Sequence, residues 1–107
     1  MQNDRPSSPE NIATRLEWLR DYHGLTWKEF AASINASSAK VSNWINGTGR
    51  LSIDGALSIR EIYRVSLDFL YLGDASSLPL EMRKSWILRN GGSISETEEV
   101  VSTVNSD

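Results

Sequence analysis

The stretch Thr26-Trp-Lys-Glu-Phe-Ala-Ala-Ser-Ile-Asn35-Ala-Ser-Ser-Ala-Lys-Val-Ser-Asn-Trp-Ile-Asn46-Gly47 decides the fold. Its first four residues form a capping box, in which the Thr26 hydroxyl and the Glu29 carboxylate each satisfy a backbone N–H that the first turn of a helix leaves free. Phe30, Ala31 and Ile34 give this helix one apolar side. Asn35 ends it, since Asn is second only to Gly in accepting a left-handed backbone. Only Asn35 and Ala36 intervene before Ser37, the N-cap of a following helix that runs to about Asn46 and stops at Gly47. Val41, Trp44 and Ile45 are the apolar residues of that helix. Ser38, Ala39, Lys40, Ser42, Asn43 and Asn46 are left to face outward.

The flanking sequence continues in the same style. A first helix is expected from about Asn11 to His23, with Ile12, Leu16, Leu19 and His23 in one stripe and Gly24 as its C-cap. Trp18 and Tyr22 lie on a neighbouring face, where half-exposed packing is expected and a partner surface is the alternative. His23 is read as a helix-end residue interacting with the last carbonyls. A fourth helix spans about Ile53 to Tyr63, and Ser66 caps a short fifth, Leu67 to Leu72, ended by Gly73. Five short helices with tight turns and no strand pattern predict an all-α domain.

Around it the spacing predicts a disordered leader over 1–9, the domain itself over 10–73, a linker and C-terminal helix over 74–92, and an acidic disordered tail over 93–107. Pro79 suits a helix first turn and Gly91 its end. Between them Leu80, Lys84, Ile87 and Leu88 form one stripe, with Met82 and Trp86 on an adjoining strip. Because five helices are expected to close their own core, this helix is assigned to dimerisation, through Leu80, Trp86 and Ile87. Packing back on its own domain is the alternative.

Composition narrows the function classes. The 107-residue chain has no cysteine, which excludes disulfides and thiolate metal sites. One histidine without a second offers no metal cluster, so neither a metal nor another cofactor is expected. No apolar run approaches the ~18 residues of a membrane span, and the polar start of the chain is unlike a signal peptide, so a cytoplasmic location is expected. No nucleophile, base and acid set supports catalysis. Gly47-Thr-Gly49 is too short for a phosphate loop and follows no strand. The net charge of −3 argues against nucleic acid at first sight, but residues 11–73 carry +1 and residues 93–107 carry −4. The tail acids Glu96, Glu98 and Glu99 are read as discouraging non-specific DNA contact, or as a protein-binding segment.

Two short helices across a tight turn make a helix-turn-helix unit, whose second helix fits a DNA major groove if one side is buried and the other carries short polar groups. Arg15-Leu16, Leu19-Arg20, Gly24-Leu25-Thr26, Phe30-Ala31, Ile34, Ser37, Val41-Ser-Asn-Trp44, Asn46-Gly47 and Val65-Ser-Leu-Asp-Phe-Leu-Tyr-Leu-Gly73 occur in an ordered set. Over residues 11–73 that set resembles the lambda-repressor-like (Cro/repressor, XRE-type) DNA-binding domains. The resemblance implies base contacts from Ser38, Ala39 and Asn43, with Ser42 beside them. It implies phosphate contacts from Lys40, Asn46, Arg50, Trp27 and Lys28. It also implies a dimer on a palindromic operator. Trp27 stands for a frequent Gln, Asn35 for a frequent Gly, Ile45 for a frequent acid and Arg64 for a frequent Gly, which marks a divergent member. The expected function is a small transcription regulator, a repressor of prokaryotic or phage type. An antitoxin-like or anti-regulator protein acting by protein–protein binding is the alternative.

Overall fold

A computed structural model describes residues 5–91. Their regular secondary structure is all helical: α1 Pro9–Tyr22, α2 Trp27–Ser33, α3 Ser38–Ile45, α4 Ile53–Tyr63, α5 Leu67–Leu72 and α6 Leu80–Arg89, with a 3-10 turn at Ala75–Ser77. Among the described residues no helix is long and apolar enough to cross a membrane. The proposed tail over 93–107 lies outside the described residues.

Hydroxyl caps set the helix starts. Ser8, Thr26, Ser37, Ser52 and Ser66 each accept, at 3.0–3.1 Å, from the backbone N–H three residues on. The Glu29 carboxylate completes the capping box by accepting from Thr26 N at 2.9 Å. At the other ends the chain turns left-handed, with φ 59° at Asn35 and 63° at Arg64. An L-residue at such angles costs roughly 1–2 kcal/mol, least for Asn, so Arg64 holds the more strained backbone of the two.

The expected leader must be shortened. Residues 5–9 belong to the folded unit: Ser8 caps α1, Pro9 opens it, and Ser8 N–H donates to Arg5 O at 3.0 Å. Asn11 Nδ2 donates to Arg5 O at 2.7 Å, and Arg50 Nη2 reaches Ser7 O at 2.7 Å. Ser followed by Pro is a cap-and-first-turn signature that places the helix start two residues earlier than the hydrophobic stripe does.

The core is one cluster running from Ile12 to Met82, centred on Leu16, Leu19, Phe30, Ile59, Phe69 and Leu70. α1 packs on α3, α5 and α6. Its Arg15 is buried, and the guanidinium donates to Leu70 O at 3.0 Å, in the carbonyl end of α5. A Cβ on Gly73 would lie 2.8 Å from that guanidinium, so the glycine makes room for the cation. Burial pushes the Arg15 pKa down, and the helix-end carbonyls supply compensating negative potential.

Two expectations about aromatics are corrected. Trp18 is 1% exposed and not half-exposed, while Tyr22 stays exposed. The five helices do not close their own core: α6 lays Met82 and Trp86 over it, and the Trp86 ring stands 5.4 Å from Trp18 and 5.1 Å from Phe69, centroid to centroid. Trp86 is therefore turned inward and is not part of an outward face of α6. Leu80 and Leu88 are exposed and Ile87 is half-buried.

His23 is the C-cap of α1, the helix-end position expected of it, and its backbone N–H donates to Leu19 O at 3.2 Å. Its ring lies between Tyr22 and Tyr63, at 5.2 and 4.8 Å, and burial lowers its pKa from 6.5.

Trp86→Ala should lower stability by about 2–4 kcal/mol in urea unfolding, because it uncovers two rings. Leu88→Ala should change it by less than about 0.5 kcal/mol. The unfolded chain protonates His23 more readily than the fold does, so its contribution is full above the unfolded pKa of 6.5 and falls as pH drops through it. Thermal unfolding from pH 8 to 5 should show that decline, and His23→Gln should flatten it.

Candidate nucleic-acid interface

The α2–α3 unit is built from a short turn whose two backbone N–H groups are both bonded. Ala36 N–H donates to Ala31 O at 2.9 Å and Asn35 N–H to Ala32 O at 3.1 Å. Ala31 and Ile34 are buried, so the turn is anchored from within. α3 then buries Val41 and Trp44 and leaves Ser38, Ala39, Lys40, Ser42, Asn43 and Asn46 exposed. Trp44 fixes α3 against α4, since a Cβ on Gly55 would lie 2.5 Å from its Cη2.

All four residues expected to touch bases, Ser38, Ala39, Ser42 and Asn43, share this exposed face. Two are already organised by hydrogen bonds: Asn46 Nδ2 donates to Ser42 Oγ at 3.2 Å, and Thr48 Oγ1 donates to Asn43 Oδ1 at 3.1 Å. Lys40 and Lys28 are exposed and make no ion pair among the described residues. Arg50 is exposed but spends one N–H on Ser7 O. It also stands close to Tyr71, whose phenol burial pushes up while the Arg50 charge pulls down. Leu80, Trp86 and Ile87 lie on α6, apart from this face in the chain, and the structure does not gather them into one patch.

Trp27 is half-buried and used in packing. Arg20 lies over its ring at 4.8 Å and Phe30 meets it edge-on at 5.7 Å. Arg20 also donates to Leu25 O at 2.8 Å and pairs with Asp21, while its Nε is buried without a partner. Beside Trp27 is an open cleft of about 440 Å³ lined by Glu10, Thr14, Glu17, Ile45 and Asn46, among others. Two carboxylates thus share a cleft with Trp27 and Asn46, two of the residues expected to hold phosphate. Glu10 and Glu17 stand seven residues apart, one face of a helix, and that spacing was the available signal.

Compared with known proteins, the chain matches no family model, no curated protein and no solved structure.

Gly55→Ala is expected to destabilise the fold by about 1–3 kcal/mol in chemical denaturation, since the added methyl must displace Trp44. Ser58→Ala, on the same helix, should be nearly neutral, separating this clash from a general sensitivity of α4.

Proposed function

We propose that this chain is a lambda-repressor-like helix-turn-helix protein that binds double-stranded DNA sequence-specifically, with α3 in the major groove, and acts in the cytoplasm as a small repressor of transcription. The observation that carries the reading is the two-sided character of α3. Val41 and Trp44 bind it to the core, while six small or polar residues are left uncovered on its other side. Such a helix has groups of the right size to reach base edges, and all six are exposed. Ser38, Ala39, Ser42 and Asn43 are the base-reading residues in this proposal. Lys28, Lys40, Asn46 and Arg50 are the backbone-binding ones, with Trp27 supporting α2.

A domain of this kind reads a few base pairs, so a two-fold dimer on a palindrome belongs to the proposal. The exposed side of α6, with Leu80 and Leu88 and the half-buried Ile87, is the surface offered to a second copy.

Glu17, in the cleft beside Trp27, favours a second reading, an antitoxin-like or anti-regulator protein that binds another protein. A carboxylate beside an expected phosphate position weakens DNA affinity and suits a basic partner.

Selection of bound duplexes from randomised DNA near physiological salt separates the two. An enriched palindrome supports the first; folded protein with no enrichment supports the second. Lys40→Ala should weaken binding to all sequences and reduce the salt slope by about 1. Asn43→Ala should cost about 1–3 kcal/mol on the selected site and relax preference at one base pair.

A further inference from the structure

The Gly47-Thr-Gly49 loop does more than end α3. Gly47 takes φ 76°, which reverses the chain and lays the next two residues along Asn43. The backbone N–H groups of Thr48 and Gly49 both donate to Asn43 O at 3.0 Å. A Cβ on Gly49 would lie 3.2 Å from Asn43 Cβ, so a glycine is what lets the loop approach this closely. The Thr48 hydroxyl then meets the Asn43 side chain, donating to Oδ1 at 3.1 Å.

We propose that this loop is a clamp that fixes which way round the Asn43 amide lies, making Thr48 a positioning residue for base recognition and adenine the base that Asn43 reads. The recognition role rests on the DNA-binding reading above; the clamp itself does not.

An exposed Asn amide can turn over about its last torsion and exchange its oxygen for its nitrogen. Turned over here, it would make the hydroxyl accept from Nδ2. The hydroxyl proton would then turn to solvent or to Asn43 O at 3.4 Å, whose two lone pairs already serve two N–H donors. The oxygen-inward order keeps that donation within the loop. It occupies one lone pair of Oδ1 and leaves the other, together with the Nδ2 donors, for the solvent side. An acceptor beside a donor in fixed order complements N6 and N7 of adenine. Guanine, with O6 and N7, asks for two donors.

The test compares the full chain with Thr48→Val, which keeps the shape and removes the hydroxyl, with Thr48→Ser, which keeps the hydroxyl, and with Asn43→Ala. Each is put through duplex selection, and the Asn43 side-chain amide is followed by NMR in the free proteins. The wild type should show one position where adenine is preferred and Asn43→Ala removes the preference. Thr48→Val should lower that preference roughly twofold to tenfold, the worth of one hydrogen bond, with other positions, non-specific affinity and thermal midpoint unchanged. Thr48→Ser should restore it. The free Asn43 amide should be ordered in the wild type and Thr48→Ser and looser in Thr48→Val.

Guanine at the Asn43-dependent position, or an unchanged preference in Thr48→Val, overturns the recognition role. An amide equally ordered in Thr48→Val overturns the clamp. A wild type that enriches no sequence while its amide still loosens in Thr48→Val overturns the DNA-binding reading, and the amide order tells that failure from a failed clamp.

Discussion

The rest of the fold depends on the burial of Trp18. An indole can be taken out of water only if its N–H finds a partner and its rings find company. α1 and α5 provide part of this, with Tyr22 at 5.6 Å and Phe69 at 5.5 Å. The remainder comes from the far end of the chain: Ser85 Oγ accepts from Trp18 Nε1 at 3.0 Å, and Trp86 closes the ring over. Arg89 adds a 2.9 Å ion pair to Asp21, on the same two helices. α6 is thereby part of the domain core, joined to α1 by contacts some 67 residues apart in sequence.

That arrangement bears on α3 through α1. The same helix that receives α6 also packs against α3, and α3 is held as well by Trp44 on Gly55. An eight-residue helix is too short to be stable alone, so its placement comes from these contacts and not from propensity. The polar face of α3 is therefore carried on a rigid support, while the loop that follows it uses its own backbone donors on Asn43. Rigid backing and an uncovered polar face are together what a reading helix requires.

The sequence made the local structure largely legible, because its signals are local. Capping hydroxyls at Thr26, Ser37 and Ser66, the left-handed Asn35 and the apolar spacing of Val41 and Trp44 each depend on three or four neighbouring residues. The polar face of α3 followed from the same spacing. What could not be read was which of two stripes turns inward. On α6, Leu80, Lys84, Ile87 and Leu88 compete with Met82 and Trp86, and only the presence of Trp18 opposite decides between them. The Thr48–Asn43 contact was hidden for a related reason, since helical periodicity says nothing about where a loop folds back. The start of α1 was legible in Ser8-Pro9 but masked by a polar, proline-bearing context that resembles a leader.

Much of the positive charge of the helical domain is committed to its own structure. The basic residues of 11–73 outnumber the acids by one, yet several are spent inside the structure. Arg15 serves the end of α5, Arg20 lies on Trp27 and pairs with Asp21, and Arg50 gives one donor to Ser7. Near α3 this leaves Lys28, Lys40 and the remaining donors of Arg50, set against Glu17 in the cleft by Trp27. Non-specific DNA affinity scales with the phosphates neutralised, so a surface with so few uncommitted cations holds arbitrary DNA weakly. In the proposed DNA-binding role, discrimination then rests on base contacts and on doubling them in the proposed dimer. A fixed amide at Asn43 matters more under that condition than it would on a strongly basic protein, because fewer backbone contacts stand behind it.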